Sequence, residues 1–359
     1  MVTLMVPTMN RPEFVIRMLR HYARLGFKGR IAIGDSSKPD LVERTRRAIP
    51  DLGGALDVVH LEMPGLGLAA CLQQLANRLD TPYATILPDD DFVVPGSLER
   101  CIQFLEQHPD YVAAHGAGLT VTLDSNGLYG NVVFCAPYPQ PVSEADRASD
   151  RLRDHLGRYQ VSLFSVHRAA SWRLMMGDVH RMEDVSFAAE LLPCCLSVVL
   201  GKVKELEGLY LVRQSHNLRL ELPTMFDWIA TRVWFPSYEV TVGCLAEALA
   251  QQDGIALDQA VGVVKQGFRE YIGFGLGLRR PWDTQGWMLG VARRAWRLVQ
   301  MAKPKHDAQW SLPALLSASS PHHGDFMPIY QALVTPPAES GVATAPSAAA
   351  RKGSGFDGV

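Results

Sequence analysis

The first hundred residues alternate short apolar runs with longer stretches in which apolar residues recur every three or four positions. Residues 2–6 are apolar and stop at Pro7, the pattern of a buried strand. A helix follows, with Asn10 as its cap, Pro12 in its first turn and Glu13 completing a capping box. Phe14, Val15, Met18, Leu19, Tyr22 and Leu25 form its apolar stripe, and Gly26 ends it. Residues 31–34 predict a second strand, broken by Asp35-Ser36-Ser37, and a helix is expected near 40–48. A third strand is expected at 58–61, then a turn and helix over 65–79. Residues 83–87 make a fourth strand that ends in Pro88-Asp89-Asp90-Asp91. Leu98, Cys101, Ile102 and Leu105 share one face of a helix over 96–107. Strands alternating with helices predict an α/β fold with a doubly wound sheet. In such sheets ligands bind at the carboxyl ends of the strands. Thr8 to Asn10, Asp35 to Ser37 and Asp89 to Asp91 all fall at such ends.

Beyond residue 110 the pattern is mixed. Strand-like runs occur at 119–123, 131–134 and 160–166, a helix over 183–200 and a strand over 209–213. After residue 222 the pattern is helical, near 225–250, 257–272 and 287–301. The last 25 or so residues are rich in Ala, Ser, Gly and Pro, a composition expected to be disordered.

Composition narrows the function. With 35 basic and 37 acidic residues, the chain lacks the basic excess of a nucleic-acid binder. Its six cysteines are scattered with no CxxC pair, so they read as thiols in a reducing compartment rather than as disulfides or a zinc site. Neither a signal peptide nor an apolar stretch long enough to span a membrane is expected. The localisation expected is cytoplasmic. The basic, Trp-containing segment 291–299 reads first as a packed helix with a solvated face. Its second reading is a peripheral contact at the inner face of a membrane.

Chemistry concentrates at Asp89-Asp90-Asp91. Adjacent carboxylates repel one another, and a cation relieves that cost. Hard oxygen donors at a strand end suit Mg²⁺ or Mn²⁺, ions that also bind diphosphates. The plainer reading is a solvated acidic turn.

Three motifs in order carry a resemblance. Val6-Pro7-Thr8-Met9-Asn10-Arg11-Pro12, Ile33-Gly34-Asp35-Ser36-Ser37, and Leu87-Pro88-Asp89-Asp90-Asp91 followed by Pro95, Leu98 and Glu99 resemble the successive motifs of family 2 glycosyltransferases of the GT-A fold. The likeness covers about residues 2–107, with weaker echoes to 217. It implies a GT-A domain over 1–220, in which 1–107 binds the nucleotide-sugar and 108–220 the acceptor. A helical extension over 221–305 and a partly disordered tail over 306–359 complete the chain. It further implies that Pro7, Thr8, Asn10, Arg11, Asp35, Ser36, Asp89 and Asp90 bind the nucleotide part, with Asp35 at the base. Asp91 is taken as the direct ligand of Mn²⁺ or Mg²⁺, and Asp89 lies nearer the ribose or a water shell. The sequence departs from the family at Pro88, where an Asp is common, and at Pro64, where an Asn is common, so the division of roles among the three Asp stays open.

An inverting transferase needs a carboxylate to take the acceptor proton. In the family it stands at a helix start, often as Glu-Asp, shortly before a Gly that precedes a strand. Glu183-Asp184 has the residue types and Glu190 the better spacing to Gly201-Lys202. Glu190 also sits among Phe187, Ala188, Leu191 and Leu192, where an idle carboxylate is costly, and it is taken first. Asp184 and Glu183 remain the competing pair, with a helix N-terminus as the structural explanation of both. His216 is a further candidate metal ligand by resemblance, against a packing role. Arg213 offers a bidentate charge to a leaving diphosphate. His322-His323 reads as solvated.

The expected function is metal-dependent, inverting transfer of a sugar from a nucleotide-diphospho-sugar to a hydroxyl. The acceptor would be a glycan, a lipid-linked glycan or a protein, in bacterial surface glycan or glycoconjugate synthesis. A sugar-phosphate nucleotidyltransferase would need a Gly-rich loop after the first strand, and Val6 to Pro12 holds no glycine. A non-catalytic nucleotide-sugar-binding scaffold is the other alternative. Zincin, α/β-hydrolase and P-loop motifs are absent from the sequence.

Overall fold

The structure, a computed structural model, describes residues 1–51, 54–216, 223–277 and 308–336. Four parallel strands open the sheet: β1 (Val2–Thr8), β2 (Arg30–Asp35), β3 (Asp57–Glu62) and β4 (Tyr83–Ile86). Helices α1 (Pro12–Arg24), α2 (Pro39–Asp51) and α3 (Leu68–Asn77) connect them. β1 has both faces covered: Leu4, Met5 and Val6 are all fully buried, which explains an unbroken apolar run in place of alternation.

The sheet then turns mixed. After β4 come β5 (Phe92–Val93), α4 (Pro95–Gln107), β6 (Tyr111–Leu123), β7 (Val132–Tyr138), α5 (Ala148–Gly157), β8 (Val166–Arg168) and α6 (Ala169–Met175). A π-helical turn (Phe187–Leu191) runs into α7 (Leu192–Leu200), and β9 (Lys202–Ser215) follows. Among the described residues the strand order is β3-β2-β1-β4-β8-β6-β9-β5, with β7 on β6. β8 is antiparallel to both β4 and β6, and β5 is antiparallel to β9. This topology places the triple Asp between two halves of one sheet. The Leu87 N–H still bonds to Met5 O beside β1, and two residues after Asp91 the chain is paired to β9 at Val93↔Leu211. Tyr22 of α1 clamps this crossing, because its buried hydroxyl both accepts from Val93 N–H and donates to Val93 O.

Helices α8 (Met225–Ile229), α9 (Trp234–Asp253) and α10 (Leu257–Gly275) pack beside α5 and α7. Two short helices, α11 (Leu312–Leu316) and α12 (His323–Val334), then close a second core. Trp310, Leu315, Phe326, Ile329 and Leu333 lie there against Phe92, Leu119, Val121 and Val212.

Several elements differ from expectation. Asn10 does not cap α1: it takes a left-handed φ of 60°. Its side-chain oxygen accepts from Lys38 N–H at 3.0 Å and its N–H donates to Ser37 Oγ at 2.6 Å, so it joins two loops instead. The run 160–166 forms no strand before Val166. Phe164 O is taken by the hydroxyls of Thr85 and Tyr210 rather than by a ladder. The helix expected over 225–250 is two helices, because Pro236 lacks an N–H and suits a first turn, not an interior. Residues 308–336, expected as part of a loose tail, belong to the folded body. His322 stacks on Trp310 with ring centroids 4.3 Å apart and is not simply solvated. The expected helix at 287–301 and the segment 291–299 lie outside the described residues, as do the last residues, 337–359.

Candidate active site

Parallel strands deliver their carboxyl ends to one edge, and the polar clusters read from sequence meet there. Pro7↔Gly34 and Thr8↔Asp35 are register partners, and Ser36 N–H bonds to Thr8 O at 2.9 Å. Asp35 is fully buried. Its Oδ1 accepts Ser37 N–H at 3.0 Å, and its Oδ2 lies 3.0 Å from His60 Nε2 on β3. Burial alone would raise the Asp35 pKa, but the bonds from His60 and Ser37 outweigh it and hold the carboxyl below its ordinary value.

The acidic cluster is held almost wholly by polar partners. Thr8 Oγ1 donates to Asp89 Oδ2 at 2.6 Å, and Arg11 lies 2.5 Å from Asp89 Oδ1 and 3.1 Å from Asp90 Oδ2. His216 Nε2 is 2.8 Å from the same Asp90 oxygen. Arg213 Nε donates to Asp91 Oδ2 at 2.7 Å, and Gln214 N–H to Asp91 Oδ1 at 3.0 Å. Burial drives the Asp89 carboxyl up to about 7, with Arg11 opposing and the neighbouring carboxylates adding to the rise. Arg213 lies between Tyr138 and Phe164, 4.7 and 4.3 Å from their ring centroids. Burial works against its charge, but Asp91 more than offsets that and keeps the guanidinium firmly protonated.

Among the described residues no group of three or more His, Cys, Asp or Glu side chains converges as a ready metal cage. Both oxygens of Asp91, expected as the direct ligand, already accept hydrogen bonds, and His216 faces Asp90 rather than Asp91. The donor chemistry nevertheless fits a hard divalent cation. A carboxylate offers about four acceptor positions, so hydrogen bonds to it do not by themselves exclude ligation.

The base candidates separate clearly. Glu183 is exposed. Asp184 is buried just ahead of the helix. Its Oδ1 accepts Ser186 N–H and Phe187 N–H, and its Oδ2 accepts the Trp228 indole N–H at 2.9 Å. These are the bonds of a helix cap and a tie to α8. Glu190 sits in the π-helical turn and accepts from Tyr159 O–H at 3.1 Å. Burial raises its pKa above the ordinary glutamate value, with Tyr159 and the charge of Arg213 partly opposing. Glu190 also lines a cavity of about 80 Å³ with Ser186, Leu191, Pro223, Met225, Trp228 and Tyr271. Asp184→Ala should lower stability by about 2 kcal/mol through loss of the cap and the indole's acceptor. Chemical denaturation would measure this loss, and nucleotide affinity should stay unchanged.

Sequence reasoning missed His60, Gln214, Tyr159 and Arg17. Each acts through a partner far along the chain, and none stands in a recognisable motif. Arg17 left one trace, a charge between the apolar Ile16 and Met18 of the amphipathic helix.

The mixed α/β sheet thus carries its buried carboxylates at the ends of parallel strands. The profile described as "Glycosyl transferase family 2" matches residues 3–123, which take in every one of these strand ends. Residues 3–123 are thus similar to family 2 glycosyltransferases, and the chain has a GT-A type of fold. Residues 1–349 of S. aureus TarS, crystallised with UDP-GlcNAc, share 15% identity at a TM-score of 0.51. That alignment covers 79% of this chain and 77% of the other. The same fragment with UDP gives 14% identity and a TM-score of 0.44, over 79% and 76% of the two chains. No curated protein matches the sequence. No helix among the described residues is long and apolar enough to cross a membrane.

Proposed function

We propose that this site binds a nucleotide-diphospho-sugar and passes its sugar, with inversion, to an acceptor hydroxyl. The observation that carries the reading is the meeting of Thr8, Asp35 and the buried Asp89–Asp91 cluster at one sheet edge, with Arg11 and Arg213 beside the carboxylates. Asp35, positioned by His60, reads the base, and Pro7, Thr8, Asn10, Arg11, Ser36, Asp89 and Asp90 shape the ribose and diphosphate site. Asp91, with Asp89 and His216, would hold Mn²⁺ or Mg²⁺, which when bound offsets charge on the diphosphate. Arg213 adds a fixed positive charge toward the leaving group. Glu190 takes the proton of the acceptor hydroxyl, and burial raises its pKa, which makes it a stronger proton acceptor than an ordinary glutamate. The second half of the domain and the helices after residue 222 shape the acceptor site. The acceptor is a glycan, lipid-linked glycan or protein of bacterial surface glycan synthesis. The protein works in the cytoplasm or at the inner membrane face.

Calorimetric titration with UDP, GDP, dTDP and CMP, each with and without Mn²⁺, tests the donor site. Metal-dependent binding of one nucleotide is expected, and UDP-GlcNAc is the first donor to try because the TarS fragment was crystallised with it. A folded protein that binds none of them would sink the reading. Pyrophosphate release from an NTP and a sugar phosphate would point to a nucleotidyltransferase instead.

A further inference from the structure

Arg17 lies in the middle of α1 between the buried Ile16 and Met18, and is itself 2% exposed. A guanidinium so placed is costly unless its donors are satisfied. Among the described residues its hydrogen-bond acceptors are two carbonyls and one amide oxygen, none a carboxylate, and Nε has no acceptor. Nη1 donates to the Gln214 side-chain oxygen at 2.7 Å and to the Leu128 carbonyl, and Nη2 donates to the main-chain carbonyl of Asp90 at 3.2 Å. Phe14 and Phe92 lie near it, each ring centroid 5.1 Å from the guanidinium carbon.

These acceptors belong to three segments far apart in sequence: the acidic turn, the end of β9, and the loop 124–131 between β6 and β7. Gln214 extends the connection. Its amide donates to Gly127 O at 2.9 Å, while its backbone N–H holds Asp91. Gly130 N–H in turn bonds to Leu333 O of α12 at 3.2 Å. One buried side chain is therefore bonded to the acidic turn, to the strand that carries Arg213, and to the loop beside them.

We propose that Arg17 is a positioning residue for the donor site, holding the Asp89–Asp91 turn and the 124–131 loop in the one arrangement that binds the nucleotide. This rests on the donor-site reading above. Arginine suits the task because its planar fork serves several acceptors at fixed angles, whereas lysine offers a single point charge.

The test compares the full-length wild type with Arg17→Lys, Arg17→Met and Arg151→Met. Arg151 is a matched control: it is also buried and donates to the carbonyls of Ala145, Asp146, Val198 and Val199, away from the acidic cluster. The probe is whichever of the four nucleotides binds the wild type with Mn²⁺. Both Arg17 variants should lose about ten-fold or more in nucleotide affinity, the lysine less than the methionine. Amide exchange over 124–131 should quicken in both. Arg151→Met should lower the melting temperature yet keep wild-type affinity. Wild-type affinity in Arg17→Met, or an equal affinity loss in Arg151→Met, would overturn the proposal. If Arg17→Met does not fold, Arg17→Lys decides: wild-type affinity with unchanged exchange over 124–131 sinks it. A wild type that binds none of the nucleotides overturns the donor-site reading itself and this proposal with it.

Discussion

Asp91→Ala should destabilise the protein by about 3–5 kcal/mol and abolish metal-dependent nucleotide binding. The stability effect follows from what Asp91 leaves behind. Arg213 is mostly buried between Tyr138 and Phe164, and its Nε donates to Asp91. Removing the carboxylate strands that charge and frees the Gln214 N–H, which it also accepts. Breaking a buried pair from one side costs far more than the pair contributes net. The binding effect follows from the proposed role of the same oxygens toward the cation. Asp91→Asn separates the two. It keeps the shape and one acceptor, so it should recover much of the packing loss while leaving binding abolished. Denaturant melts beside calorimetry would read both quantities. An Asp91→Ala protein with wild-type nucleotide affinity would remove Asp91 from the donor site.

Glu190→Gln should lower the transfer rate by about 10²–10⁴-fold, the usual contribution of a general base, and leave nucleotide affinity near wild type. The amide can still accept the Tyr159 hydroxyl bond, so little structural change is expected. The pH profile supplies a second readout. A base must be deprotonated to act, and burial raises the Glu190 pKa. The rate should therefore fall as pH drops through a value above that of an ordinary glutamate. In Glu190→Gln this acid limb should vanish from the residual rate. If the variant turned over at the wild-type rate, the base would be sought at Asp184, and Asp184→Asn would then show the loss.

Stability linked to Asp35 is also lost on acidification, although its pKa is shifted the other way. Its folded pKa lies below the ordinary value, so its stabilisation is complete above that ordinary value and is lost as pH falls through the lower, folded one.

The sequence by itself determined the local layers of this protein. Apolar runs at residues 2–6, 31–34 and 83–87 could be read as strands because both faces are buried, with the hydroxyls of Thr3 and Thr85 bonded internally, while 58–61 forms the half-buried edge strand β3. The clusters after them could be read as a ligand edge because parallel strands all end on the same side. The three motifs and their order pointed to the family because they lie within one contiguous stretch.

The tertiary structure decided which of these groups meet and what each is bonded to. Asn10 looks like a helix cap, and only the Lys38 loop packed beside it shows where its oxygen goes. Asp184 and Glu190 are equally acidic in the sequence. The distant Trp228 makes the first a structural acceptor, while a π-helical turn and Tyr159 set the second in a cavity. Arg17 would pass for a surface charge until residues 90, 128 and 214 are brought around it. The same holds for residues 308–336, whose apolar side chains gain a partner only once β5, β6 and β9 lie side by side. Hydrophobic periodicity reports which face of an element is buried. It carries no record of which remote donor or acceptor fills the space opposite, and at this site those long-range hydrogen bonds set the surroundings of each carboxylate.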